Sequence, residues 1–204
     1  MKLPDWVAPL SSLLGIAVLA AFAKWPPDKP GDWATWVTAV GTIGAVAVAL
    51  GLSTRDNRRQ ATLAMDAARL TAASVTMRLS RAGDEIDNVV KLFESQIHHN
   101  VGAQKLFDAN RVVNEIVMPS KEDQLALLAL PNNCAINLAK AEDRLAAVKA
   151  TLRIFSEYVV EVDAREKLKI ASKGKSLMLE ASRFVGDALA ECEKASSMLA
   201  ERIN

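Results

Sequence analysis

The chain has 204 residues, half of them hydrophobic, and its 25 Lys and Arg residues are almost balanced by 24 Asp and Glu residues. Three residues of each sign precede Ser53, so the remaining sequence carries 22 positive and 21 negative side chains. Nucleic-acid-binding domains normally show a net basic field in which clustered basic residues lie beside aromatic ones. The near-neutral charge therefore argues against a nucleic-acid partner.

Two charge-free apolar runs open the chain, at about residues 6–23 and 34–54, and a short proline-rich stretch at 24–33 separates them. A helix rises about 1.5 Å per residue and the hydrocarbon core of a bilayer is about 30 Å thick, so a spanning helix needs roughly 20 apolar residues. All four tryptophans lie at the ends of these runs, where indole settles at the membrane interface. Residues 1–54 are therefore predicted to form a two-span transmembrane hairpin.

The first run also has features of a secretory signal. Lys2, the apolar stretch and the triplet at 21–23 resemble a charged n-region, an h-region and an A-x-A cleavage site. Asp5 and Pro9 ahead of the apolar centre, together with the length of the run, favour an uncleaved span instead. Under either interpretation the second span leaves the rest of the chain in the cytoplasm.

The charges that flank the spans predict their orientation. Arg55, Arg58 and Arg59 follow the second run at once, whereas the charges in the loop at 24–33 cancel. Lys and Arg residues close to a span stay preferentially on the cytoplasmic side. We therefore predict a multi-pass integral protein of the cell or inner membrane with both termini in the cytoplasm and the lipid bilayer as its first partner.

Small residues follow one another at helical spacing in the predicted spans. Gly41, Ala45 and Ala49 form a ladder on the second span, and Gly15 offers a small residue on the first. Spans associate through small residues because these let two backbones approach closely. The ladder predicts either packing of the two spans within one chain or self-association between chains, and we expect a homo-oligomer, at least a dimer.

Residues 55–204 are predicted to form a cytoplasmic helical domain. Ala, Leu, Lys, Glu and Arg, which are good helix formers, dominate this part. Turn residues are too few for a sheet protein of this size. After Leu52 the prolines and glycines are Pro119, Pro131, Gly83, Gly102, Gly174 and Gly186. The fold class is therefore all-α, a transmembrane hairpin followed by an elongated helical bundle, with breaks expected near 100–102, Pro119, Pro131 and Gly174.

Apolar residues at alternating steps of three and four predict three long helices. The first continues from the second span at Ser53 to about Ile97, and Leu63, Leu70 and Met77 precede its stripe at heptad steps. The other two carry stripes over 138–162 and from about 175 to 203.

Two short helices are predicted between the first and second long ones, at about 103–118 and 121–130. Ser120 precedes the second of them and Asp123 follows three residues later. This spacing is a variant of the capping box, in which the two side chains satisfy free amide groups at the start of a helix.

Catalytic motifs are nearly absent. The triplet Gly174-Lys175-Ser176 resembles the end of a phosphate-binding loop, but Lys169 stands where that motif needs a glycine. His98 and His99 are the only histidines, and adjacent helical residues point in different directions. We therefore predict no catalytic residue, no cofactor and no metal ligand.

The two cysteines and the densest basic stretch complete the candidate residues. Cys134 and Cys192 are far apart in sequence and predicted to be buried free thiols, because the reducing cytoplasm disfavours a disulfide. The basic stretch is typical of a solvated helix end or loop, or alternatively of contact with anionic lipid headgroups. It comprises Arg165, Lys167, Lys169, Lys173 and Lys175.

These features favour a membrane-anchored interaction or scaffold protein that is not an enzyme. The hairpin would fix its location, and the helical body would dock a protein partner that the sequence does not identify. The alternative is a membrane-acting effector whose hairpins assemble into a pore or perturb the bilayer. A double-span hairpin with a helical body serves many functions, so architecture alone does not choose between them.

Overall fold

The computed structural model describes residues 30–99, 103–157 and 163–203, which are helical apart from short connections and contain no strand. The prediction of an all-α chain is therefore confirmed for this part. Its three long and two short α-helices, with one 3-10 turn, are α1 (Pro30–His99), α2 (Gln104–Glu115), α3 (Lys121–Ala126), the turn Leu127–Ala129, α4 (Cys134–Glu157) and α5 (Ala164–Ile203).

The chain divides into two compact units, Met1–Arg58 and Arg59–Asn204. In the first unit the described residues all belong to α1. The predicted first span, Gly15 and loop residues 24–29 lie outside the described residues, so the two-span hairpin and its orientation stay predictions. Helix α1 begins at Pro30, within the predicted loop at 24–33. Proline is tolerated in a first helical turn, where its missing N–H has no helical partner.

The second unit is a bundle in which α5 runs antiparallel to both other long helices. Against α1, Lys175 pairs with Glu94 at 2.9 Å, and Ser182 donates to Asp87 at 2.9 Å. Later α5 residues thus meet earlier α1 residues.

The contacts of α5 with α4 show the same reversal of direction. Arg144 contacts Glu180 at 2.7 Å, while Cys134 at the start of α4 meets Cys192 near the end of α5.

The two short helices together form a fourth arm of this bundle. Phe107 at the start of α2 packs on Phe155 near the end of α4, with ring centroids 5.8 Å apart. Lys121 at the start of α3 pairs with Glu142 in the first half of α4. The arm therefore runs antiparallel to α4, and the second unit has the up-down-up-down order of a four-helix bundle.

Two buried clusters hold the bundle together, and alanine recurs in both. Because alanine side chains are small, the helices can pack closely, and stripes that contain many alanines can still form a buried core. One cluster joins α2 to the middle of the long helices and includes Ile86, Phe93, Leu106, Leu145, Leu152 and Met178. The other lies at the opposite end and includes Ala68, Ala72, Leu79, Leu127, Cys134, Leu138, Ala188 and Cys192.

The predicted stripe on α1 is confirmed from Leu79 onward but wrong before it. Leu63, Leu70 and Met77 are 60%, 62% and 79% exposed. Met77 and Leu79 differ by two residues, which is about 200° around a helix, so they face opposite sides. The buried line continues backward through alanine and valine instead, at Val75, Ala72 and Ala68.

The predicted break at Gly174 is also wrong. Helix α5 begins at Ala164, eleven residues before the predicted start, and the Asp163 side chain accepts the Glu166 backbone N–H at 2.7 Å. Asp163 therefore caps the helix, and Gly174 lies within it, against the ring of Phe93. The predicted break at 100–102 lies outside the described residues. So does the part of the second long stripe that follows Glu157, up to residue 162.

The breaks at Pro119 and Pro131 are confirmed. Pro119 lies between α2 and α3, and Pro131 lies between the 3-10 turn and α4. The capping box is confirmed as well: the Ser120 hydroxyl accepts the Asp123 N–H, and the Asp123 carboxylate accepts the Ser120 N–H, both at 3.1 Å. The predicted helix at 121–130 is shorter, because its last residues form the 3-10 turn.

Candidate functional site

An exposed apolar segment, residues 37–54, lies in the part of α1 that belongs to the first unit. Its side chains carry no charge, and none of the described residues covers them. One helix of the described chain is long and apolar enough to cross a membrane, and it is this one. Its large side chains are 43–67% exposed: Val37, Val40, Ile43, Val46, Val48, Leu50 and Leu52.

The threonine hydroxyls of this segment are satisfied by the helix itself. Thr38 donates to the carbonyl of Ala34 at 2.8 Å, and Thr42 donates to the carbonyl of Thr38 at 2.7 Å. Thr54 donates to the carbonyl of Gly51 at 2.9 Å. A polar group in hydrocarbon has no water to bond, so this internal pairing suits a lipid environment.

The small-residue ladder lies on this exposed segment. Gly41, Ala45 and Ala49 are exposed, and a Cβ placed on Gly41 or Gly44 would meet no atom within 4 Å. The described residues therefore provide no packing partner for the ladder, and its proposed contact with Gly15 concerns a residue outside them. The ladder remains open to a second helix.

Three arginines follow the apolar segment on the same helix. Arg55, Arg58 and Arg59 are exposed. Their place after the last apolar turn fits the flank of a membrane span, where guanidinium groups reach the headgroup level.

The predicted basic stretch lies in the first three turns of α5 and not in a loop. Arg165, Lys169 and Lys173 are exposed and follow one another at steps of four, so they form one ridge. Lys167 is half-buried on another side of the helix. Lys175 pairs with Glu94, and this hydrogen bond, with the positive charge, lowers the pKa of the Glu94 carboxyl.

The triplet that resembles the end of a phosphate-binding loop also lies on α5. Gly174, Lys175 and Ser176 lie in the interior of α5, whereas a phosphate-binding loop precedes a helix and presents free amides. Lys175 is already engaged by Glu94. The triplet is a helix-packing sequence.

The two histidines lie in the last turn of α1 and are exposed. The Nδ1 atom of His99 is 3.3 Å from the carbonyl oxygen of Ser95. The described residues contain no group of three or more His, Cys, Asp or Glu side chains that could hold a metal ion.

A buried polar group that sequence reasoning missed joins α3 to α4. The Gln124 amide donates to the carbonyl of Pro119 at 3.0 Å and to Glu142 at 2.5 Å. Lys121 donates to the Gln124 side-chain oxygen at 3.4 Å and pairs with Glu142. These hydrogen bonds fasten the start of α3 to α4.

The capping box connects α3 to α1 as well. Arg78 contacts the Asp123 carboxylate at 3.1 Å. Burial raises the pKa of the Asp123 carboxyl, but the hydrogen bonds from Ser120 and Arg78 outweigh it and leave this pKa below its usual value. Asp123 is thus ionised across the neutral range and ties the short helix to the long one.

A surface hollow of about 270 Å³ lies beside this contact. Its charged lining includes Arg78, Arg81 and Glu85. Arg81 is paired with Glu85 at 2.9 Å and Arg78 with Asp123. The positive charges that would attract an anion are therefore already neutralised.

The two cysteines meet inside the bundle. Cys134 and Cys192 are both fully buried, and their Sγ atoms are 3.7 Å apart. The Sγ atom of Cys134 is also 3.7 Å from the carbonyl oxygen of Ala188. The prediction of buried free thiols is confirmed, but their contact was missed because the residues are 58 positions apart.

The thiol pair is electrostatically asymmetric. The hydrogen bond between the two thiols lowers the pKa of Cys134, since the S–H of Cys192 stabilises a thiolate there. The same hydrogen bond, together with burial, raises the pKa of Cys192. Cys134 is therefore the more acidic thiol.

The chain matches no protein-family model, and no curated protein or solved structure is significantly similar to it.

Proposed function

We propose that the protein is a membrane-anchored helical interaction protein. The single observation that supports this most is the exposed, charge-free segment of α1 from Val37 to Thr54. Monomeric soluble proteins seldom expose a contiguous apolar surface of this extent, because water contact with it is unfavourable. A bilayer removes this surface from water and accepts a helix whose threonine hydroxyls are already paired.

The finer topology belongs to the same proposal. A first span at about 6–23 would complete a hairpin, and Arg55, Arg58 and Arg59 would hold the second unit in the cytoplasm. The proposal thereby describes a multi-pass membrane protein with both termini on the cytoplasmic side.

The second unit is the proposed docking body. Its described residues form two buried clusters, and its paired polar groups serve to join helices. Exposed apolar side chains remain at Leu63, Leu70 and Met77 on α1, and at Leu125 and Leu128 beside α3. An exposed apolar stripe on an otherwise solvated bundle can mark a surface that a protein partner covers.

The second candidate is a membrane-acting effector, and the open ladder at Gly41, Ala45 and Ala49 favours it. Several copies that pack through such a ladder would form a ring or cluster of spans. No charge lies between Val37 and Thr54, so a pore would need its polar lining from another part of the chain.

Two measurements separate these candidates. The anchored interaction protein should resist carbonate extraction, leave liposomes sealed and keep its partner in a fragment of residues 55–204. Dye release from liposomes at low protein-to-lipid ratio would favour the effector. Extraction of the full chain by carbonate would contradict both.

Orientation is tested by accessibility labelling. Both native cysteines are first replaced by alanine, and single cysteines are then introduced at Asp28 and at Arg59. We expect labelling of position 59 from the cytoplasmic face and of position 28 from the opposite face. Labelling of position 28 from the cytoplasmic face alone would overturn the topology.

A further inference from the structure

We propose that Cys134 and Cys192 are a peroxide-responsive pair that forms a reversible intramolecular disulfide and thereby ties the start of α4 to α5. The proposal concerns the second unit alone and does not depend on the membrane function. It is carried by the contact of the two sulfurs and by the construction of the turn beside them.

The two sulfurs are in direct contact. The Sγ atoms are 3.7 Å apart and belong to two helices that run antiparallel. A disulfide bond is about 2.05 Å long, so the sulfurs must approach by roughly 1.7 Å. Rotation of the two side chains and a small shift at the start of α4 supply this, because Cys134 is the first residue of its helix.

The turn before Cys134 provides access to the buried pair. Asn132 and Asn133 both have φ of 57°, in the left-handed region, which asparagine adopts more readily than other residues that carry a side chain. Two such residues in succession still carry a conformational cost, so the turn depends on the contacts that hold it. The amide of Asn132 holds the turn closed by donating to Glu191 at 2.6 Å. Glu191 precedes Cys192 on α5, so this hydrogen bond joins the turn before Cys134 to the part of α5 that carries its partner, and its release frees the turn.

Chemical asymmetry assigns a role to each thiol. Cys134 lies at the positive end of the α4 helix, where amide groups stabilise a thiolate. When Cys134 is ionised, the S–H of Cys192 donates to its sulfur and stabilises the thiolate. Cys134 is therefore the attacking sulfur, and Cys192 resolves the intermediate.

The reaction uses a hydroperoxide such as hydrogen peroxide as the oxidant. The Cys134 thiolate attacks one peroxide oxygen, so an S–O bond forms, the O–O bond breaks, and the departing hydroxide takes up a proton to become water. Cys192 then attacks the resulting sulfenic sulfur, the S–S bond forms, and the hydroxyl group leaves with the Cys192 proton as a second water. Two thiols are oxidised, and one peroxide is reduced to two waters. A dithiol reductant reverses the bond by exchange.

The test uses the full-length, reduced protein in mild detergent, treated with hydrogen peroxide and then alkylated under denaturing conditions. We expect both thiols to become unreactive, the intact mass to fall by two hydrogens and the chain to stay monomeric on a non-reducing gel. The disulfide should raise the Tm by several degrees, because it constrains the unfolded chain, and a dithiol should restore the original Tm.

Single replacements identify the two roles. In Cys192→Ala, Cys134 should stop at a sulfenic acid that dimedone captures. In Cys134→Ala, Cys192 should stay reduced at the same peroxide dose. Alanine suits both positions because the surrounding cluster is rich in alanine.

A charge placed at Asn132 tests whether its hydrogen bond to Glu191 controls the access of peroxide to the thiols. Asn132→Asp sets a carboxylate against Glu191, so we expect oxidation several-fold faster than in the wild type. Asn114→Asp adds the same charge at an exposed site on α2 and should leave the rate unchanged. Equal rates in these two variants would overturn the proposal. So would thiols that stay alkylatable in the folded protein at a dose that oxidises the urea-unfolded chain.

Discussion

Gly174 lies directly against the ring of Phe93: a Cβ placed on this glycine would be 2.6 Å from Cζ and 2.9 Å from Cε2 of that ring. Phe93 is 1% exposed, so its ring is surrounded on its other sides. The glycine is therefore a packing residue that lets α5 approach α1, although its usual helical effect is destabilising.

We expect Gly174→Ala to lower the free energy of unfolding of the full-length protein by about 1–3 kcal/mol, because the added methyl group overpacks a closed site. The gain in helix propensity, about 1 kcal/mol, offsets only part of this cost. Chemical denaturation followed by circular dichroism measures the change.

Gly186 on the same helix is the matched control, since a Cβ there would meet nothing within 4 Å. Gly186→Ala should raise the free energy of unfolding by about 0.5–1 kcal/mol through helix propensity alone. Equal effects of the two substitutions would show that the Phe93 contact does not restrict position 174.

Asp123 should contribute a pH-dependent part of the stability. Its pKa is below the usual 3.8, so its contribution is complete above about pH 4 and is lost as the pH falls through the lowered pKa. Asp123→Asn should cost about 1 kcal/mol at neutral pH, through the cap and the Arg78 contact. The difference from wild type should shrink in acid, which urea unfolding at a series of pH values measures.

The control for this pH series is Asp84→Asn, since Asp84 is exposed on α1. Its free-energy difference from wild type should stay within about 0.5 kcal/mol throughout. A difference for Asp123→Asn that does not change with pH would contradict the assignment of the titration to this carboxylate.

Self-association should depend on the ladder in α1. Gly41→Leu combined with Ala45→Leu should weaken the dimer in mild detergent by about tenfold, since bulky side chains hold two backbones apart. Val40→Leu combined with Val46→Leu adds apolar volume off the ladder and should have little effect. Light scattering over a range of protein-to-detergent ratios reports the mass, and a wild-type monomer throughout would leave the ladder without an intermolecular role.

The basic ridge of α5 should contact anionic headgroups. Changing Arg165, Lys169 and Lys173 to Gln should reduce binding of the 55–204 fragment to phosphatidylserine vesicles at least tenfold, since each charge near the surface contributes about 1 kcal/mol. Sedimentation with sucrose-loaded vesicles at low salt measures this binding.

The matched control removes three cations from three different helices, Lys91 on α1, Lys105 on α2 and Lys194 on α5. Vesicle binding that falls equally in both triple variants would indicate a response to net charge. The ridge would then be a solvated helix face.

Sequence periodicity predicted the helices well where a long stripe contacts another long stripe, as from Leu79 to Phe93. It failed at Leu63, Leu70 and Met77, because heptad spacing marks a shared face but does not say whether another helix covers that face. The buried face there consists of alanine and valine, whose weaker apolar signal is easily outweighed by leucine.

The missed features of the second unit depend on long-range contacts. A glycine in the sequence looks the same whether it ends a helix or makes room for a side chain from another helix. At Gly174 only the contact with Phe93 shows that the second case applies. The pairing of Cys134 with Cys192 likewise follows from the antiparallel register of α4 and α5. By contrast, the capping box at Ser120 and Asp123 was predictable, because both partners lie within one helical turn.

The arm formed by the short helices α2 and α3 should be the least stable part of the bundle. Helices of 12 and 6 residues are too short to persist in water by themselves, so α2 and α3 depend on the long helices for their amide protection. Opening of this arm exposes less apolar surface than separation of α4 from α5. Hydrogen exchange should therefore enter the bundle through α2 and α3, before it reaches the contacts between the long helices.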